Sequence, residues 1–343
     1  MPELALEVAG QVFSGWTSAR VTESIDALAP AFELTYADRR SQSAERVRIR
    51  PGQACRLLWR EAPMLTGWID SATATETASE RALSVSGRAK TGDLVDCSVE
   101  LSEPWVDRTL EQIARDVVGA FGIGVRSFVL GDATTPIPFA APELGETCAE
   151  LLGRLARLRG CWLSTSFTGD LEIVQGGWRA GGDVPVLRRG RDILSATLTE
   201  SHEARFDRLT VATQGGSLEI DAISGLTATA RDPAVTRHRP LVVVADAACV
   251  DLDRRAQWEI NARMGKGTRL SLTLPGWTSA RDALWHPGQV VRVVDDWLGL
   301  DHELAIVSVQ RSLDLNTGTT AQLELADPRV LLPEPIPDDA FEA

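Results

Sequence analysis

Arg50-Pro51-Gly52-Gln53 leads into the apolar run Cys55 to Trp59, and Pro287-Gly288-Gln289 leads into a second apolar run, Val290 to Val294. In both places a Pro-Gly pair supplies tight-turn geometry and delivers the chain into a strand. The same tripeptide near each end of 343 residues, with unlike sequence between, points to two related structural modules framing an inserted region. A second echo is the hexapeptide Gly-Trp-Thr-Ser-Ala-Arg, at residues 15–20 and again at 276–281. It is not collinear with the first: Arg20 is far from Pro51, whereas Arg281 is followed closely by Pro287. The hexapeptide alone therefore does not establish a duplication, and the Pro-Gly-Gln turns carry the argument.

Around the first turn the pattern is one of short alternating runs: Leu4 to Val8, Val12 to Trp16, Phe32 to Tyr36, Val47-Arg48-Ile49, Leu57 to Trp59, Leu65 to Ile69 and Leu83 to Val85. These predict strands of an antiparallel sheet or barrel. Gly67 lies inside a strand pattern, which predicts a bulge or the close approach of another backbone. After Pro104 the period changes. Leu110, Ile113, Ala114, Val117 and Val118 fall at helical spacing behind Asp107, and a second helix is predicted from Thr147, with Leu151, Leu152, Leu155 and Leu158 on one face. Cys161 to Thr165 and Leu171 to Val174 flank Thr168-Gly169-Asp170 and read as a β-hairpin.

Strands resume at Ile193 to Thr199 and Arg208 to Thr213, a helix is predicted from about Asp251 to Met264, and four strand candidates follow: Arg269 to Leu274, Val290 to Val294, Leu304 to Val309 and Ala321 to Leu325. The expected fold class is α+β, β-rich, with two similar β-barrel-like domains and smaller inserted α+β domains. The expected divisions are 1–103 for the first barrel-like domain, open to completion by later strands, 104–190 for an inserted α+β domain, 191–330 for the second barrel-like domain with its helix near 251–264, and 331–343 for a loose acidic tail.

With 44% hydrophobic residues the chain can bury a sizeable core. A formal charge of −13 argues against nucleic-acid binding, which draws on clustered Lys and Arg. Nearly all 35 basic residues are arginine, spread among acids as in Arg39-Arg40, Arg188-Arg189 and Arg254-Arg255. They suit either carboxylate pairing at subunit interfaces or a solvated face. Cys55, Cys97, Cys148, Cys161 and Cys249 have neither metal-ligand spacing nor a CxxC motif, which fits a reduced compartment and synthesis in the cytoplasm. No apolar run is long enough to span a bilayer, so no membrane insertion is expected.

The chemistry of a catalyst is not legible. His202, His238, His286 and His302 are scattered, and no metal, cofactor-binding or catalytic residue is assigned. Gly265-Lys266-Gly267-Thr268 follows a helix and lacks the pattern of a phosphate loop, so it reads as a helix terminator. Acid pairs such as Glu143 with Glu146, or Asp295 with Asp296, are what a cell-wall hydrolase would need, but 48 acids supply such pairs by coincidence. Ten tryptophans stand against a single tyrosine. Trp16, Trp59, Trp68, Trp162 and Trp258 fall within strand or helix patterns and read as core, while Trp105, Trp178, Trp285 and Trp297 fall nearer turns and are the candidates for subunit anchors.

The stretch from Val47 to Cys97 resembles the baseplate hub protein of Mu-like contractile-tailed phages, most specifically over Ser86 to Ser98 and also through Arg50-Pro51-Gly52-Gln53 and Leu65-Thr66-Gly67-Trp68-Ile69-Asp70. The resemblance runs from near the N-terminus to about Pro328. It implies kinship with the hub of T-even baseplates and with the N-terminal part of type VI secretion spikes. It also implies a homotrimeric ring in which six barrels approximate sixfold symmetry. Such a ring adapts a hexameric tail tube to a threefold central spike and lines the DNA passage. The partners it implies are the tail tube or tube-end protein, the central spike and other baseplate proteins, and the location is the tail of the virion. The alternatives are a tail-associated cell-wall hydrolase and the hub of a secretion or bacteriocin particle.

Overall fold

A computed structural model describes residues 3–38, 49–77, 81–100, 103–129, 134–175, 184–213, 227–245, 252–315 and 317–331. Arg39-Arg40, Val47-Arg48, Trp178, Cys249 and the acidic tail from 332 onward lie outside them. The first unit holds seven strands: β1 (Leu4–Val8), β2 (Gln11–Ser14), β3 (Ser18–Ser24), β4 (Ala27–Asp38), β5 (Ala54–Trp59), β6 (Ala62–Glu76) and β7 (Arg81–Ala89). All pair antiparallel, in the order β3-β4-β7-β6-β5-β1-β2. Alternation decides which face is inside: Ala19 and Val21 on β3, and Cys55, Leu57 and Trp59 on β5, are buried at every second position.

The second unit comprises α1 (Gly92–Asp96), β8 (Trp105–Arg108), α2 (Leu110–Gly119), β9 (Val125–Phe128), β10 (Ile137–Ala140), α3 (Cys148–Leu158), β11 (Trp162–Thr165) and β12 (Leu171–Val174). Helix α2 starts at a Thr109–Gln112 capping box rather than at Asp107, which lies in β8, and α3 starts at a matching box of Thr147 and Glu150. The predicted hairpin is present as β11 and β12, and β9 joins it in parallel. Ile113, Val118, Leu151, Leu155, Leu171 and Ile173 close a separate core.

Beyond it come β13 (Val186–Arg188) and β14 (Ser195–Glu200), then a small unit of β15 (Arg208–Thr213), β16 (Thr227–Arg231), β17 (Pro240–Ala245) and α4 (Leu252–Lys266). The strand Arg208–Thr213 stands in this separate sheet because α4 covers its apolar residues Leu209 and Val211 with Ala256 and Ile260. The chain ends in β18 (Thr268–Pro275), β19 (Val290–Asp295), β20 (Leu300–Asp314) and β21 (Gly318–Ala326). Here Leu272, Val291, Leu304, Ile306 and Leu323 close another core.

The two β-rich halves are portions of one 13-stranded sheet. The cause is the length of β20. It pairs with β21 on one side, while on the other its first half pairs with β19 and its second half, Ser308 to Asp314, pairs with β3. The N-terminal and C-terminal portions of the sequence thus meet in a continuous backbone ladder. Among the described residues no helix is long and apolar enough to cross a membrane.

Candidate functional site: the junction of the two halves and the free sheet edges

The two Pro-Gly-Gln turns are built alike, bond for bond. Gly52 and Gly288 both take φ of 83°, a left-handed conformation that favours glycine. The Gly52 amide donates to the carbonyl of Ile69 (2.8 Å), and the Ile69 amide donates back to the carbonyl of Gln53 (3.0 Å). In the second half Gly288 donates to Ile306 (2.7 Å) and Ile306 to Gln289 (2.9 Å). Each isoleucine is followed by the same irregularity: the ladder to the next strand shifts between Ile69 and Ser71, and again between Ile306 and Ser308. Turn, strand, hairpin and bulged long strand therefore recur as a unit. Its two copies are β5–β6–β7 and β19–β20–β21.

The hexapeptide echo is shallower. Gly15 and Gly276 both have positive φ, and Trp16 and Trp277 both enter the core of the first half, where Trp277 meets Trp59 at 4.3 Å between ring centroids. After the tryptophan the copies part, since Ser18 begins β3 while residues 278–281 form a loop. Trp277 reaches across from the second half, and its indole N–H donates to the carbonyl of Ser312 (3.0 Å).

Where β3 meets β20 an ion pair is sealed inside. Arg311 is 0% exposed and Glu23 4%, and Arg311 Nη1 donates to Glu23 Oε1 at 2.7 Å while Nη2 donates to the carbonyl of Trp285. His286, in front of the second Pro-Gly-Gln turn, stands 3.9 Å from the other Glu23 oxygen. The β11–β12 hairpin docks onto this region. The Phe167 ring meets His286 edge-on at 5.5 Å, and the Phe167 carbonyl accepts from the Thr66 hydroxyl (3.0 Å). A Cβ at Gly288 would fall 2.6 Å from the Trp162 ring, so glycine there also makes room for the hairpin. The Thr91 and Thr165 hydroxyls lie 2.8 Å apart and both stand within hydrogen-bond reach of the Leu28 carbonyl, so their two protons serve three contacts, one hydroxyl donating to the carbonyl and the other to its neighbour or to the same carbonyl. One hairpin thus touches both copies of the repeated unit. The Glu172 carboxyl on β12 is pushed above the usual carboxylate range, chiefly by burial, with His286 and Arg126 pulling the other way.

Among the described residues three strands of the long sheet pair on one side only: β2 and β14 at its ends, and β13 beside β19. β2 carries Val12, 62% exposed, and Leu194 just before β14 is 61% exposed. The hairpin tip between β19 and β20 projects Trp297, 76% exposed, with the Arg189 guanidinium 5.8 Å from its ring. Of the described tryptophans nearest turns in the sequence, Trp297 is the one that stands exposed, as a contact between subunits requires. Trp285 is buried in the second core, and the Trp105 N–H is occupied by Asp116 (3.1 Å).

The remaining candidates have structural partners. Glu146 holds Arg154 through both carboxylate oxygens at 2.9 Å; burial opposes its ionisation, but Arg154 and the Glu143 amide hold its carboxyl below the usual range. That is the opposite of a general acid, which needs a raised value. Asp295 Oδ1 caps the amides of Trp297 (3.0 Å) and Leu298 (3.1 Å), while Asp296 is exposed on the hairpin tip. His202, His238 and His302 are exposed and separate, and no cluster of three His, Cys, Asp or Glu side chains suited to a metal occurs among the described residues. Helix α4 runs through Gly265 to Lys266, and Gly265 lets Val330 pack against it. Gly67 meets its expectation: a side chain there would overlap the Arg88 carbonyl and Ala89 Cα. The sequence reading missed Glu23, Arg311, Phe167 and Trp277. A signal existed for Glu23, a charged residue in phase with inward-facing Ala19 and Val21.

Three family descriptions match separate parts of the chain. Residues 3–89 match the N-terminal domain of Mu phage baseplate assembly protein GpP-like proteins. Residues 91–175 match the second domain of baseplate hub protein gp44-like proteins, and residues 248–334 the fourth domain of GpP. The baseplate hub protein gp44 of Escherichia phage Mu is 30% identical over 336 residues, covering 94% of this chain and 87% of that protein. The 43 kDa tail protein of prophage MuSo2 from Shewanella oneidensis is 32% identical with a TM-score of 0.84, covering 97% of this chain and 100% of that one. A tail protein of Neisseria meningitidis MC58 shares the fold at 23% identity and a TM-score of 0.80, over 98% of this chain and 99% of that one. A type VI secretion component of E. coli shares it more distantly, at 12% identity and a TM-score of 0.59, over 93% and 76%.

Proposed function

Because this chain belongs to the family of Mu-type baseplate hub proteins and is a structural component of a phage tail, we propose that three copies form the ring joining the sixfold tail tube to the threefold central spike. The observation that carries this reading is the pair of Pro-Gly-Gln units, equivalent down to the Ile69 and Ile306 hydrogen bonds. A chain that presents one surface twice gives a trimer six near-equivalent surfaces on one side while its unduplicated parts keep threefold symmetry on the other. Closure uses extended interfaces of more than about 2,000 Å², with sheet edges and the Trp297 tip as contact elements. The partners are the tube or tube-end protein, the spike and neighbouring baseplate proteins of a contractile tail. The chain is made in the host cytoplasm, works without catalysis or cofactor, and uses its −13 charge to keep DNA phosphates off the passage wall. Light scattering with negative-stain imaging of the same peak tests the proposal. A particle of three 37.1 kDa chains with a central hole is the expected result; a compact monomer at every concentration, also in the presence of spike protein, overturns it.

A further inference from the structure

The structure assigns Cys97 and Cys148 as an oxidisable pair, the site of a disulfide that fastens the second unit onto its point of departure from the first. The sequence offers no hint of it, because the two residues are far apart and neither sits in a CxxC motif. The fold makes their backbones neighbours. Ser98 and Thr147 form an isolated antiparallel bridge, and one step further the Cys148 amide donates to the Cys97 carbonyl at 3.0 Å. A single backbone bond joins the two residues, because the Cys97 amide donates instead to the Asp93 carbonyl (2.9 Å); that bond makes them backbone neighbours, and a disulfide spans Cα separations of roughly 4.4–6.8 Å. Both cysteines are free, Cys97 exposed and Cys148 buried. One residue is thus open to an oxidant from solution, and its buried backbone neighbour supplies the resolving thiol.

The surroundings agree. Burial raises the Cys148 thiol, and Cys97 raises it further, so the two sulfurs are within electrostatic reach of one another. Cys55 and Cys161 are buried, and burial pushes their thiols to about 12 and about 11. Among the described cysteines, Cys148 is therefore the one placed beside the exposed Cys97.

The step balances with a small-molecule disulfide as oxidant. The Cys97 thiolate attacks oxidised glutathione, the glutathione S–S bond breaks, and one glutathione leaves as thiolate from a mixed disulfide on Cys97. Cys148 gives its proton to solvent, attacks Cys97 Sγ and expels the second glutathione as thiolate, which takes up a proton. Two protein thiols are oxidised and one glutathione disulfide is reduced. The new bond closes a loop around β8, α2, β9 and β10. It lies beside the Arg88–Asp96 ion pair (2.6 Å) that already ties α1 to the first unit.

The test is incubation of the native full-length protein with oxidised glutathione, followed by intact mass and non-reducing peptide mapping. Expected are loss of two hydrogens, a peptide linked through Cys97 and Cys148, and a melting temperature higher by about 5 °C that dithiothreitol reverses. Cys97→Ser, at an exposed position, abolishes all three while leaving the reduced melting temperature unchanged, and Cys148→Ala stops the reaction at the mixed disulfide. A wild-type protein that retains glutathione on Cys97 indefinitely, or that links Cys97 to another cysteine, overturns the inference. This outcome is independent of whether the chain forms a trimer.

Discussion

Glu23 and Arg311, separated by nearly the whole chain, form an ion pair with no appreciable access to water, on the two strands that join the halves of the sheet. Removing one partner strands the other charge in the interior. Glu23→Ala is expected to cost about 3–5 kcal/mol in a urea or thermal unfolding measurement. The double variant Glu23→Leu with Arg311→Met is expected to recover most of that loss, since neither charge then remains to be solvated. Equal damage from the single and double variants would show that the seam depends on the pair's shape rather than its charge.

Gly288 serves both the left-handed turn and the Trp162 ring above it. Gly288→Ala should cost about 2 kcal/mol or more, part from the positive φ and part from the indole. In a Trp162→Leu background only the φ component remains, so a double-mutant cycle should return a clear coupling energy. Gly67→Val, whose side chain meets backbone and has no flexible neighbour to displace, should cost more than about 3 kcal/mol or prevent folding.

Trp297 contributes little to its own chain beyond the Arg189 contact. Trp297→Ala should leave the melting temperature of the dissociated chain within the equivalent of about 1 kcal/mol. If the hairpin tip is a central contact between copies or to a partner, its loss should raise the dissociation constant of the assembly by about 30-fold, measured by concentration-dependent light scattering.

Asp232 sets an acid limit on the small β15–β17 unit. Burial opposes its ionisation, but Arg205, at 2.7 Å, and the Ala234 amide outweigh it and hold the carboxyl below its ordinary 3.8. A carboxylate depressed by folding contributes stability that is complete above the unfolded value and is lost as pH falls through the folded one. The part of the melting temperature owed to Asp232, read as the difference between the wild type and Asp232→Asn, should therefore be complete above about pH 5 and shrink as pH falls below about 4. Arg205→Met should lower the plateau and flatten the fall.

The strands and helices that carry the fold are legible because each has one face against one core: Leu57 and Trp59 on β5, or Leu151 and Leu155 on α3, report their burial by simple periodicity. The Pro-Gly-Gln duplication is legible because glycine at positive φ is a sequence-level constraint. What could not be read is where elements from distant parts of the chain meet. Trp277 follows a glycine turn in the second half yet fills the first core, and nothing in its neighbours says so. The helix Leu252–Lys266 is visible, but its company, the sheet of β15, β16 and β17, depends on tertiary choice. Of the exposed aromatics, Trp297 was within reach as an aromatic at a turn. Trp285 had the same signature and is buried, since sequence does not distinguish a turn that faces solvent from one that folds inward.

The pairing of β3 with β20 also governs when the protein can become itself. On a ribosome, the first seven strands emerge long before Ser308 to Asp314 and Trp277 exist, so the N-terminal half must wait with one sheet edge unsatisfied and its core incomplete. Contacts of such sequence separation slow folding and leave edges open to wrong partners. Nascent chains of this protein are therefore expected to depend on release of the C-terminal strands, and a truncation after residue 300 should accumulate as aggregate rather than as a smaller folded hub.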